Sequence, residues 1–281
     1  MSPTPASELR TGSGDPLLLL HPFALSHHVW EAVAERLADS YDVYAPTMLG
    51  HWGGTTPTSG RKVSLAALAD DIEAKLDALG WRTCHVVGNS LGGWVALELE
   101  RRGRARSVTA LAPAGGWRNL SRTEFRIGLT FLALLPFVVA GNLLGDLAAK
   151  RRWIQRAALK IVSHETAAVP RETAANYVRA TTHCRVYLWM LWAGLRDGGI
   201  TGLDRVSAPS TLLLCRKDAL LPHPSFSRMF LEELPGHTTR EWIPDVGHAP
   251  MLERPDLVAE VLRRTLARHQ GEIRHRKGTT S

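Results

Sequence analysis

The sequence predicts an α/β fold: a mostly parallel central sheet flanked by helices, with a helical cap subdomain inserted into it. Three observations carry this prediction. Short apolar or β-branched runs at residues 17–20, 85–87, 108–111 and 210–215 read as buried strands. They alternate with segments of helical period, the pattern of a parallel sheet covered on both faces. From residue 116 to about 203 the strands stop and helical patterning continues alone.

Taken in order, residues 1–14 are rich in Ser, Pro, Thr and Gly, which predicts a flexible start with at most one edge strand near residues 8–11. The main domain is expected over residues 15–115 and 204–268. Residues 17–20 are four consecutive leucines, too apolar for a half-exposed strand. Residues 30–38 have helical period, and residues 41–45 form the next strand. A Gly, Pro and Thr-rich loop covers residues 46–60. Residues 64–79 are amphipathic, with Leu65, Leu68, Ile72 and Leu76 on one face and Asp70, Asp71 and Lys75 off it. After the cap, expected over residues 116–203, strands return at residues 210–215 and 239–243. Pro255 opens the last helix at a position where its missing N–H costs nothing, and residues 255–268 complete it. Residues 269–281 are polar and basic and predict a disordered tail.

The chain has 281 residues, 44% of them hydrophobic and 22% charged, enough for one large α/β core. The formal net charge is +7, with basic residues in the tail and arginines scattered along the chain. No compact basic stripe is interleaved with aromatics, which argues against nucleic acid as a partner. Three widely spaced cysteines, Cys84, Cys184 and Cys215, read as small core residues in a reducing compartment rather than disulfides. The N-terminus lacks a basic segment followed by an apolar one, so no signal peptide and a cytoplasmic location are expected. No metal or phosphate-loop motif is present, and no cofactor is expected.

The chemistry centres on Gly88-Asn89-Ser90-Leu91-Gly92, which follows a strand pattern and precedes a helical one. A turn this tight holds Ser90 at strained angles and requires small residues two positions before and after it. It lifts the hydroxyl above the sheet edge and places the Leu91 N–H at a helix N-terminus, where it stabilises an anion. The motif in this setting resembles the α/β-hydrolase fold family, on its serine hydrolase (esterase- and lipase-like) branch.

That resemblance implies a triad in the order Ser, acid, His. Asp218 stands just past the strand at residues 210–215, at the sheet edge where ligands gather. Alone, it reads equally well as an Asx-turn residue. Val246-Gly247-His248-Ala249-Pro250 is similar to the family's base loop, so His248 is the expected base. Asp245 is a rival acid but sits only three residues from His248. The alternative acid position after the preceding strand reads Ala112-Pro113-Ala114-Gly115 and holds no carboxylate. Glu253 reads as an N-terminal helix residue without a catalytic role. The family commonly carries His-Gly-x after the first central strand. Here it is His21-Pro22-Phe23, and Pro22 has no N–H, so the Phe23 amide is the second oxyanion donor, beside that of Leu91. His21, His27, His28 and His51 read as loop residues.

The resemblance implies cleavage of an ester-type acyl bond in a hydrophobic small molecule through an acyl-enzyme. Relatives that open epoxides or displace halide use Asp as nucleophile, which Ser90 does not match. Hydrolytic C–C cleavage of diketones is the alternative, since Asn89 also occurs before the serine there, although Ala249 replaces an aromatic. A binding protein without turnover is another. Residues 127–145 carry no charge and approach the length of a bilayer span. Pro136, three glycines and Asn142 interrupt them, and a span here would split one sheet, so two cap helices are expected instead of membrane insertion. Peripheral membrane contact through the cap stays open. Trp189 and Trp192 are candidate pocket residues, with core packing as their alternative. Substrate and oligomeric state are not specified by any of these residues.

Overall fold

Alternation along the central strands divides the core in two. In strand β2 (Asp15–Leu20), Leu17 and Leu19 point to one side and Leu18 and Leu20 to the other, all fully buried. Both faces therefore need helices, and the run of leucines follows directly from that. The computed structural model describes residues 6–57 and 63–278. Its sheet also contains β1 (Glu8–Thr11), β3 (Tyr41–Pro46), β4 (Cys84–Asn89), β5 (Ala105–Leu111), β6 (Ser210–Cys215) and β7 (Thr239–Ile243). The spatial order is β1-β3-β2-β4-β5-β6-β7. Only β1 runs antiparallel, along β3, and the other neighbours pair in parallel.

On one face lie α1 (Glu31–Leu37) and α11 (Pro255–Gly278), whose Val33, Leu37, Val258, Leu262 and Leu266 pack with Leu17 and Leu19. On the other lie α2 (Leu65–Ala78) and α3 (Leu91–Arg101), whose Leu68, Ile72, Val95 and Leu99 pack with Leu18 and Leu20. Ser64 caps α2, its hydroxyl accepting from the Ala67 amide at 3.2 Å.

Between β5 and β6 the described residues form α4 (Arg122–Leu144), α5 (Asp146–Lys150), α6 (Arg152–Leu159), α7 (Arg171–Thr182) and α8 (Tyr187–Asp197). The uncharged stretch is not two helices. α4 runs unbroken through Pro136, whose lost backbone bond is tolerated on an exposed stretch of helix. Two short helices, α9 (Arg228–Glu233) and α10 (Pro250–Glu253), complete the chain.

The expected disordered tail is corrected over residues 269–278, which continue α11. His269 is buried against Thr211, with Nε2 2.9 Å from the hydroxyl. Gln270 donates to Asp15 at 2.9 Å, and Arg276 donates to the Ser207 carbonyl at 2.8 Å. Polar composition hid these anchors because the helix is held by hydrogen bonds and not by an apolar stripe. The three cysteines are free and buried.

Candidate active site

β4 delivers Ser90. The turn leaving the strand forces it to φ 55° and ψ −115°, a conformation costly for any side-chain-bearing residue. A Cβ on Gly88 would stand 2.0 Å from the Gly92 carbonyl, and one on Gly92 would stand 2.3 Å from that of Leu20. Glycine is thus required at both positions by backbone crowding. The Ser90 amide donates to the Leu111 carbonyl at 3.0 Å, and the Ser90 carbonyl accepts from Ala114 at 2.9 Å. The strained residue is therefore tied to β5 through its amide and to the loop after β5 through its carbonyl.

Asp218 follows β6 and divides its two oxygens. Oδ1 accepts from the amides of Leu220 (3.0 Å) and Leu221 (2.7 Å), and Oδ2 lies 2.7 Å from Nδ1 of His248. One oxygen thus closes the turn and the other reaches the imidazole of His248. A carboxylate at Oδ2 places the ring proton on Nδ1 and leaves the Nε2 lone pair free to act as a base. Nε2 is buried and makes no hydrogen bond among the described residues, Ser90 included. Catalytic bonds of this kind are commonly loose without substrate and tighten around it. Asp245 is exposed, in a left-handed turn, and makes no bond to His248.

Two residues to which the sequence analysis gave no such role hold the expected base, His248, in place. Asn89 Nδ2 donates to the carbonyls of Leu111 and His248, both at 3.0 Å, so the residue before the nucleophile fixes the backbone of the base. Glu253 is buried and serves as an anchor beyond its place in α10. It accepts from the amides of Gly247 (2.6 Å), His164 (3.2 Å) and Glu165. It thereby ties the base loop to the segment between α6 and α7. Neither role carries a sequence signal, since an Asn at a strand end and a Glu in a helix have commoner uses.

The Phe23 amide has no acceptor among the described residues, and Leu91 is the first residue of α3, where an amide lacks an intrahelical partner. Both residues line the same cavity as Ser90. The loop before Phe23 is held by His21, whose Nδ1 lies 2.8 Å from the Pro22 carbonyl while Nε2 accepts from the Met48 amide at 2.9 Å. That pattern defines a neutral ring, and complete burial holds its pKa well below the usual value. The Phe23 ring sits 5.2 Å from both Phe131 of α4 and Tyr187 of α8. The Tyr187 hydroxyl donates to the Phe131 carbonyl at 2.9 Å.

The cavity above Ser90 has a volume of about 240 Å³. Trp94, Trp117, Ile127, Phe131 and Met190 supply apolar walls, and Glu98, Arg101 and Glu124 contribute polar groups. The expected pocket residues Trp189 and Trp192 are not in its wall and are 59% and 60% exposed. α8 turns Met190, Ala193 and Gly194 toward the cavity, so the helical period sends the two tryptophans outward.

Among the described residues, His27, His28 and Glu31 bring ligand atoms within 4.8 Å of one another, the closest His–Glu approach being 3.9 Å. Ligands sharing a zinc ion stand roughly 3.3 Å apart, so this group is too open as it stands. None of the three lines the cavity.

This fold and turn define the class. The chain belongs to the alpha/beta hydrolase family, whose model matches residues 17–261, and it is a hydrolase. Over 200 residues it is 40% identical to the epoxide hydrolase EphH of Mycobacterium tuberculosis, covering 71% of this chain and 94% of that one. It is 27% identical over 273 residues to the pimeloyl-[acyl-carrier protein] methyl ester esterase of Aeromonas salmonicida, covering 90% and 96%. A thermophilic esterase from Thermogutta terrifontis has the same fold, with a TM-score of 0.72 at 22% identity over 93% of each chain.

Proposed function

We propose that the protein is a cofactor-independent serine hydrolase that cleaves an ester-type acyl bond of a hydrophobic small molecule. The observation that carries the proposal is the 2.7 Å contact between His248 Nδ1 and Asp218, which leaves a buried, unpartnered Nε2 on the base. Its backbone is bonded to the residue preceding a strained serine. In the reaction, Ser90 Oγ bonds to the acyl carbon as Nε2 takes its proton. The carbonyl π pair moves to oxygen, where the Phe23 and Leu91 amides receive the negative charge. Collapse expels the alkoxide, which takes the proton from His248. Water then repeats the sequence, with His248 as base, and releases the acid and Ser90.

The name of the M. tuberculosis relative favours a second reading, epoxide opening. The chemistry of the nucleophile weighs against it. A serine oxygen attacking an epoxide carbon forms an ether, and an ether has no acyl carbon for water to attack. Turnover would stop after one equivalent. A carboxylate nucleophile would instead form a hydrolysable ester.

A series of p-nitrophenyl esters of increasing chain length tests the first reading, with Ser90→Ala as control. Activity is expected in the wild type and absent in the variant, with a preference for apolar acyl groups. Activity that survives in Ser90→Ala refutes the assignment. Multiple turnovers on styrene oxide, with no reaction on any ester, would move the protein to the second reading.

A further inference from the structure

Two quantities that are normally spread over a protein are concentrated in one part of this one. Among the described residues, every large apolar side chain at least half exposed lies between Leu120 and Trp192. On α4 alone these include Leu129 (64%), Phe137 (74%) and Leu143 (82%). Charge follows the same boundary. Residues 116–203 hold twelve Lys or Arg against five Asp or Glu, a net +7, so the remainder of the chain is balanced. Exposed apolar side chains concentrated in one segment together with this charge mark an interaction surface.

We propose that the outer face of α4, with the exposed tryptophans of α6 and α8, docks on an anionic lipid surface. Three features select this occupant. α4 is 23 residues long with a mean hydropathy of 2.1 over its most apolar window, of which only 17% is buried. Basic residues bracket it in sequence, Arg118, Arg122 and Arg126 at one end and Lys150, Arg151 and Arg156 at the other, and all are exposed. Trp153, Trp189 and Trp192 are 72%, 59% and 60% exposed, and tryptophan is the side chain that settles at the headgroup level.

α4 lies flat on this surface and does not cross it. Its inner side is committed: Ile127, Gly128 and Phe131 line the cavity, and Asn142 Nδ2 donates to the Thr182 carbonyl at 2.9 Å. One helix is thus wall of the cavity on one side and docking face on the other. An apolar ester dissolved in the lipid would reach Ser90 around a single helix. Docking stands without Ser90, whereas this delivery rests on the hydrolase reading above.

Sedimentation with vesicles tests the proposal, using phosphatidylglycerol-rich vesicles against pure phosphatidylcholine at low ionic strength. The wild type is expected to pellet with the anionic vesicles. Near an anionic surface each basic side chain raises partitioning about fivefold, so Arg151→Glu with Arg156→Glu reduces it by far more than tenfold. Phe137→Glu with Leu143→Glu reduces it roughly tenfold or more per site. Both pairs are surface changes and leave the melting temperature and the soluble-ester rate unchanged. Brominated acyl chains are expected to quench tryptophan fluorescence, less so in Trp153→Phe. Ser90→Ala binds vesicles like the wild type, which separates failure of docking from failure of catalysis. Wild-type protein that stays in the supernatant overturns the proposal. So does binding indifferent to both double variants. A vesicle-free dimer that Phe137→Glu with Leu143→Glu dissociates assigns the face to a second copy and overturns it equally.

Discussion

Replacing Glu253 by Gln removes a charge from a side chain that joins the base loop to the helical insertion. Oε1 accepts from the amides of Gly247 and His164, and Oε2 accepts from Glu165. A glutamine can keep the two bonds to one oxygen, but its NH2 then faces the Glu165 N–H, donor against donor. Hydrogen bonds to a charged acceptor contribute about 1.5–3 kcal/mol each, roughly twice the neutral value. Weakening two and losing one in a buried site therefore costs about 2–4 kcal/mol. The Gly247 amide is adjacent to His248, so the imidazole shifts with the loop. Misplacement by about 1 Å costs on the order of 10²-fold in rate. Urea unfolding gives the stability and steady-state ester hydrolysis gives kcat and KM. The expected result is a lower midpoint and a kcat reduced roughly 10–100-fold, with KM within about twofold. An effect on stability alone would make Glu253 a structural anchor and nothing more. Unchanged midpoint and unchanged kcat would refute the reasoning entirely.

Other outcomes follow from the same geometry. Asp218→Asn retains the turn oxygen but presents an amide to the ring, so kcat falls by about 10³–10⁴ while the protein stays folded, read by single-turnover acylation. Ser90→Gly relieves the left-handed strain and melts higher than Ser90→Ala, by about 1 kcal/mol of stability, although both are inactive. Burial lowers His27 and His269 to about 3 and His51 and His85 to about 4. Their folded pKa values lie below the unfolded value near 6.5, so the unfolded chain binds more protons. Stability is then full above pH 6.5 and falls as pH drops from there toward 4, by up to about 1.4 kcal/mol per histidine per pH unit. Urea midpoints measured from pH 7.5 to 5 check this, and a flat profile contradicts it.

The parts of the fold legible in the sequence were those where one physical demand dominates. Strands buried on both faces show as unbroken apolar runs, so β2 and β6 could be placed to within a residue or two. The turn at Ser90 is legible because backbone crowding leaves glycine no substitute at positions 88 and 92. The end of α11 was not legible, since a helix fastened by His269, Gln270 and Arg276 has the composition of a solvated tail. Pro136 misled in the opposite direction, because a helix exposed along much of its length absorbs one missing bond. The cavity wall depended on the rotation of α8. The residue types Trp-Met-Leu-Trp do not reveal that rotation, and it put Met190 inside and both tryptophans outside.

The insertion is also more than a cover for the site. Phe131 and Tyr187 clamp the ring of Phe23, whose amide is one proposed oxyanion donor. The amides of His164 and Glu165 share with Gly247 the carboxylate that holds the base loop. Ser90 and Asp218, by contrast, take their backbone hydrogen bonds from the sheet and its turns. The proposed nucleophile and acid are thus set by the sheet, and the proposed oxyanion and base loops by contacts that cross to the helices. In the proposed reaction, any force that displaces α4 or α8, a lipid surface included, acts directly on the two elements whose placement would decide the rate. This coupling explains why motif reading points to Ser90, Asp218 and His248 but not to the residues that support them. The motif residues are fixed by local backbone chemistry, whereas the supports are long-range contacts between residues of ordinary type.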